Sequence, residues 1–231
     1  HTGEDLLPKV REMVKEKGFL PQDAEQRDQS WLDTYGMVQT IMADFPEFLP
    51  NTYDQYYLYP DYKVSHLDPN FTRADEVMAG REKRVFTECA EVIKEGKLGD
   101  KFHAISDAHA EMMIKVAEAI AYNKNDRHIL IVENNGAIAN MQDDAMVEVV
   151  CELGINGPRP MRVGNIPQFN LGLLVNQVSC EKLIVDAYFE NSYQKALEAF
   201  TLNRLINDAK KARKVLDALI EANKGMWPEL R

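Results

Sequence analysis

The chain has 231 residues, 37 acidic against 27 basic, a formal net charge of −10 and a hydrophobic fraction of 45%. That surplus of acid excludes a general role on phosphate backbones, which needs clustered Lys and Arg, though one or two local arginines can outweigh it at a small anionic ligand. No apolar run approaches the roughly 20 residues of a membrane-spanning helix, and the apolar content suffices for one large domain or two small ones.

The opening His1-Thr2-Gly3-Glu4-Asp5 lacks a Met and reads as an interior start. Residues 5–17 are predicted as a short charged helix, with Leu6, Leu7, Val10 and Val14 at helical spacing and Gly18 as its stop. A polar stretch from Pro21 to Ser30 follows. Trp31 to Phe45 then reads as a helix with Leu32, Tyr35, Val38, Met42 and Phe45 on one broad face. Pro46, Pro50 and Pro60 bracket an aromatic segment with Phe48, Tyr53, Tyr56, Tyr57, Tyr59 and Tyr62, in a chain of nine tyrosines. Prolines fix φ, so this segment is expected to be constrained.

Phe71 to Glu95 is a long helical pattern with a capping-like start at Thr72, Asp75 and Glu76, ended by Gly96 and Gly99. Ala104 to Tyr122 is a second, Ala-rich helix. The apolar runs His128 to Val132 and Met146 to Leu153 read as strands, with a turn signal at Asn134-Asn135-Gly136. Asn156-Gly157-Pro158 turns the chain into a third strand over Pro160 to Val163. The links are too short or irregular for helical crossovers, which favours an antiparallel sheet. From Gln168 the chain is helical again in two pieces, carrying Leu171, Leu174, Val175, Val178, Leu183, Ile184, Ala187 and Tyr188. A last helix starts near Asp208, with Ala209, Ala212, Val215, Leu216, Leu219 and Ile220 as its buried stripe. The fold class is α+β: mostly helical, with a small antiparallel sheet.

Few motifs carry chemistry. Cys89, Cys151 and Cys180 are scattered, odd in number and outside any CxxC pattern, as expected of reduced thiols in a cytoplasmic protein. The five histidines show no metal-ligand spacing. There is no strand followed by GxGxxG, no P-loop and no GxSxG. The 37 acidic residues give no basis for choosing an acid–base pair. The unusual feature is Asn51-Thr52-Tyr53-Asp54-Gln55-Tyr56-Tyr57-Leu58-Tyr59-Pro60, followed by Thr72-Arg73-Ala74-Asp75-Glu76-Val77. It reads either as an aromatic core cluster beside a capped helix, or as a tyrosine base with Arg73 as an anion clamp.

Three stretches resemble the family 4 glycoside hydrolases, specifically their 6-phospho-α-glucosidases. The first is Asn51 to Pro60 with Thr72-Arg73-Ala74 and Gly80-Arg81-Glu82. The second is Ile131-Val132-Glu133-Asn134-Asn135-Gly136-Ala137-Ile138. The third is Asn156-Gly157-Pro158 with Gly164-Asn165-Ile166-Pro167-Gln168 and Gln177 to Leu183. The likeness runs from Gly3 to Leu230, with Asp54 as a departure where the family prefers an apolar residue.

The resemblance implies an unusual hydrolysis. An N-terminal Rossmann half would hold NAD, and a Cys and a His in that half a divalent metal, usually Mn. Residues 1–231 would be the C-terminal substrate and oligomerisation domain, similar to that of lactate and malate dehydrogenases, with the Rossmann half outside this chain. NAD would oxidise the sugar at C3, acidifying the C2 proton; a base removes it, the leaving group departs from C1, water adds and the hydride returns. The family's tyrosine base matches Tyr53, and its basic contact near the substrate phosphate matches Arg73, whose guanidinium suits a phosphate dianion. The cysteines of this chain are then not metal ligands, and neither NAD nor metal is expected on this chain alone. The implied partners are a phosphorylated disaccharide and further copies in a dimer or tetramer, with no nucleic acid and no membrane. Two alternatives stay open: a 6-phospho-β-glucosidase or α-galactosidase of the same family, or a non-catalytic oligomerisation domain.

Overall fold

The computed structural model describes residues 3–18, 20, 29–97, 108–206 and 208–231. The chain divides into two compact units, His1–Thr72 and Arg73–Arg231. Together they give the expected α+β composition: nine helices among the described residues and one three-stranded antiparallel sheet.

The first unit is helical. α1 (Leu7–Lys17) begins two residues after Asp5, whose carboxylate accepts the Leu7 N–H at 3.0 Å. Pro8 in the first turn costs no hydrogen bond, because those N–H groups have no helical partner. Gly18, at φ +73°, ends α1 by donating its N–H to the Val14 carbonyl. α2 (Gln29–Asp44) starts two residues before the expected Trp31, and the rest of the polar stretch lies outside the described residues. Its fully buried positions are Met37, Val38, Ile41 and Met42, while Leu32, Tyr35 and Phe45 of the expected face are only half-buried. Val38 and Met42 pack with Val14 and Val10 of α1. The aromatic segment folds into two short helices, α3 (Asp54–Leu58) and α4 (Pro60–Ser65), with Pro60 opening the second.

The second unit opens with α5 (Arg73–Glu95), which buries no residue. α6 (Ala108–Ala121) follows; the expected residues 104–107 lie outside the described set. The sheet has the order β1 (Asp126–Glu133), β2 (Met146–Gly154), β3 (Gly157–Pro160), antiparallel throughout. The third strand differs from expectation. Gly154 pairs with Gly157, so the turn closes over Ile155 and Asn156 and the strand occupies residues expected to form the turn. Gly157 at φ +85° makes the tight return possible, and Pro158 and Pro160 are tolerated because β3 is an edge. Met161 still donates its N–H to the Val150 carbonyl of β2 at 2.8 Å, and the chain then leaves the ladder: the Val163 N–H reaches the Ala137 carbonyl, and Ile138 bridges Gly164.

One sheet face supplies the core. Val147, Val149 and Cys151 pack with Ala137, Ile138, Met141 and Ala145 of the β1–β2 link. Val178 and Leu171 of α7 (Gln168–Glu190) close that core. The two helical pieces expected after Gln168 break at Asn191, whose left-handed φ of +54° ends α7. Ser192 then caps α8 (Tyr193–Leu202), accepting the Lys195 N–H. Asp208 caps α9 (Ala209–Ala222), in which Ala212 and Leu216 of the expected stripe are buried, whereas Ala209 and Leu219 are exposed. Ala187, Ala196 and Leu216 join these helices in a second cluster.

The β1–β2 link, residues 134–145, is a long irregular segment laid on a sheet, so its backbone groups need partners. The wholly buried Asn134 supplies them. Its Nδ2 lies 3.0–3.1 Å from the carbonyls of Ile138, Met141 and Gln142, and its Oδ1 accepts the Ile138 N–H at 2.7 Å. Asn134→Ala would remove all four hydrogen bonds, leaving the Ile138 and Gln142 carbonyls only their bonds from the Met141 and Ala145 N–H groups, so an expected loss of about 3 kcal/mol follows, or roughly 6–12 °C in melting temperature. Thermal melts of the two proteins check it; a shift under 2 °C would contradict the assignment.

Candidate functional site

The Tyr53 turn belongs to the first unit and is built from short-range hydrogen bonds. Asn51 Oδ1 accepts the Tyr53 N–H at 2.9 Å, and Asp54 Oδ2 accepts the Asn51 N–H at 2.8 Å. The Asn51-x-x-Asp54 spacing is that of a capping box, although here the Asn51 side chain accepts from Tyr53 and only Asp54 reaches back to the Asn51 N–H. The Asp54 N–H in turn donates to the Asn51 carbonyl at 3.1 Å. Asp54 is thus a brace for the turn. Burial raises its pKa, and the hydrogen bond from the Asn51 backbone opposes that rise.

Tyr53 stands at the head of α3 and is 68% exposed. Its ring has one aromatic neighbour, Tyr56, with centroids 6.2 Å apart. The core-aromatic alternative for Tyr53 is therefore not what the structure places there. Gln55 takes the buried position: it is 2% exposed, and its Nε2 donates to the Thr52 carbonyl at 2.7 Å.

The other tyrosines divide by environment. Lys63 Nζ sits 5.4 Å above the Tyr56 ring, and Tyr62 stacks on His66 at 4.1 Å. The Tyr59 hydroxyl donates to Asp44 Oδ2 in a short hydrogen bond. Burial, and then Asp44 as hydrogen-bond acceptor and as nearby charge, push the Tyr59 phenol up to about 12.

Arg73 opens α5 in the second unit and pairs with Glu76 one turn on, at 2.5 Å. Both side chains are substantially exposed, so the pair is worth roughly 0–1 kcal/mol. Glu76 sits where the sequence suggested a cap, and its role toward Arg73 was not foreseen. Nor were the roles of Asn51, Asp54 and Gln55; of these, the Asn51-x-x-Asp54 spacing was the available signal.

The second stretch of the resemblance, around Asn134-Asn135-Gly136, is the pinned β1–β2 link already described. Asn135 and Gly136 both adopt positive φ there. Its residues hold backbone, so the stretch serves the fold of the sheet.

A model of the family 4 glycosyl hydrolase C-terminal domain matches residues 1–206. The chain belongs to this family. Among curated relatives, the maltose-6′-phosphate glucosidase of Clostridium acetobutylicum is 48% identical over 231 residues, covering 99% of this chain and 52% of that protein. A crystal structure of a 6-phospho-α-glucosidase from gut microorganisms, in complex with NAD and Mn²⁺, superimposes with a TM-score of 0.92 at 81% identity. That match covers 100% of this chain and 52% of the other. A second structure of a 6-phospho-α-glucosidase from gut microorganisms, in complex with NAD and glucose-6-phosphate, has a TM-score of 0.91 at 44% identity, covering 99% and 52%. This family 4 chain spans about half the length of the curated relatives it matches.

The described residues contain no group of three His, Cys, Asp or Glu side chains placed to hold a cation. The sheet is antiparallel, with no Gly-rich strand-to-helix turn for a dinucleotide. Holding NAD or Mn²⁺ is thus not a part that these residues fit.

The Tyr59–Asp44 bond gives a pH dependence with a definite sign. The unfolded phenol titrates near 10 and the folded one at about 12. The folded value is raised, so the contribution to stability is whole below pH 10 and disappears as pH rises through 12. Tyr59→Phe is expected to lower stability by about 1 kcal/mol at pH 8. The gap between wild type and variant should then close between pH 10 and 12. Urea midpoints measured across that range test this; a gap constant with pH contradicts it.

Proposed function

We propose that residues 1–231 act as the C-terminal substrate and oligomerisation domain of an NAD- and Mn-dependent glycosidase. The enzyme hydrolyses 6-phospho-α-glucosides of the maltose 6′-phosphate type. The observation that carries this reading is high identity across the whole chain to 6-phospho-α-glucosidases, one of them crystallised with NAD and Mn²⁺. The same relatives favour the α-glucosidase over the β-glucosidase and α-galactosidase alternatives. In this reading the cofactors are held by segments beyond residues 1–231. A cytoplasmic location is supported by three free cysteines.

The chain's own share of the chemistry is proton transfer and anchoring. Tyr53 takes the C2 proton of the sugar: its hydroxyl-bearing ring is exposed, on a turn with a fixed backbone. Arg73 exchanges its partner Glu76 for the substrate phosphate, which it grips through two N–H donors. In the full-length enzyme, Tyr53→Phe is expected to lower turnover roughly 10²–10⁴-fold and to slow C2 deuterium exchange from D₂O equally. Arg73→Ala should raise KM for the phosphorylated substrate and leave an unphosphorylated analogue little changed. Wild-type C2 exchange in Tyr53→Phe would remove the base assignment, and an unmoved KM in Arg73→Ala would remove the anchor.

A homo-oligomer is part of the same reading. Val185 and Phe189 of α7 and Leu219 of α9 are large and exposed, as are Met78, Phe86 and Ile93 of α5. A helix the length of α5 draws most of its stability from packing an apolar face, and a second copy would provide it. Light scattering should give at least a dimer mass; a strict monomer at high concentration counts against it.

A further inference from the structure

We infer that Gln55 is a positioning residue for Tyr53, an inference that rests on the reading of Tyr53 as the C2 base. The argument starts from the peptide that joins Thr52 to Tyr53. Both of its polar groups are held by side chains: Asn51 Oδ1 accepts the N–H at 2.9 Å, and Gln55 Nε2 donates to the carbonyl at 2.7 Å. A peptide plane gripped at both ends cannot rotate without losing one hydrogen bond, and that plane, together with the Tyr53 φ of −78°, sets the direction of the Tyr53 Cα–Cβ bond. No buried packing does this for Tyr53, whose ring is mostly exposed.

The two grips differ in kind. Asn51 is exposed and local to the turn. Gln55 is buried, and its Nε2 also lies 3.4 Å from Thr34 Oγ1, one helix away on α2. Gln55 therefore ties the turn to a separate element with its own core, formed by Val38 and Met42 against α1.

The amide's orientation follows from chemistry. A carbonyl accepts and cannot donate, so only Nε2 can face Thr52. Oε1 is then left buried without a partner. An orphaned buried acceptor lowers stability, and a methionine would fill the same space without one. What glutamine adds at this position is the donor, and the donor acts on the peptide that carries Tyr53.

The test uses the full-length enzyme. Gln55→Met keeps length and burial and removes the donor. Because displacement of about 1 Å can lower turnover roughly 10²-fold, kcat is expected to fall about 10–100-fold. KM for maltose 6′-phosphate should stay within about twofold, and C2 deuterium exchange should slow by the same factor as kcat. Gln55→Glu is the second variant: its carboxylate has no proton to give Thr52, whereas its protonated form does. Its turnover relative to wild type should therefore recover as pH is lowered, across a pH range in which melts show the variant fully folded, so that relief of a buried charge on folding does not account for it. A folded Gln55→Met with wild-type kcat, or with only KM changed, overturns the inference. If Gln55→Met fails to fold, a Gln55→Glu profile parallel to wild type at every pH overturns it. Tyr53→Phe in the same assay separates the two ideas. Wild-type exchange there defeats the base reading itself. A dead Tyr53→Phe beside an unimpaired Gln55→Met defeats only the positioning role.

Discussion

A chain segment that turns back against apolar surroundings must bring hydrogen-bond partners for its own backbone, because water no longer supplies them. In each unit a buried amide meets that demand. Asn134 holds the β1–β2 link in the second unit, and Gln55 holds the Thr52 carbonyl in the first. They are the two buried polar side chains among the described residues. An amide suits the task because it donates and accepts without charge, so its burial carries no ionic desolvation. The sheet core depends on the first: Ala137, Ile138, Met141 and Ala145 pack on β2 only while the link keeps its path.

The same economy shapes the Tyr53 turn. Tyr53 is exposed and reaches outward, yet the backbone that carries it is braced by Asn51, Asp54 and Gln55 within five residues. That combination fixes the backbone under a side chain that no core packing holds. Arg73 is held differently, in an exposed ion pair with Glu76 one turn along α5.

Much of the α+β architecture was legible in the residues. Apolar periodicity marked the long helices, and the runs at 128–132 and 146–153 marked two strands to within a few residues. The third strand was misplaced because Asn156-Gly157-Pro158 carries turn chemistry, while Gly157 at positive φ lets a turn close one step earlier. The α3 and α4 helices were hidden for a different reason. Three prolines and a run of aromatics suggest constraint without a period, and neither helix is long enough to show one.

By itself the sequence determined the helical and strand segments, the absence of a dinucleotide fingerprint, and a family likeness on which Tyr53 and Arg73 stand out. These are local properties, carried by spacing and residue type. Only the tertiary structure decided that Tyr53 is exposed while Gln55 two positions on is buried, that Asp54 braces the turn, and that Asn134 is a backbone hub. Burial and hydrogen-bond partners depend on which elements meet in space. α2 lies 21 positions from Gln55 at its Thr34 contact, and the Asn134 partners lie along a link with no repeat to betray its path.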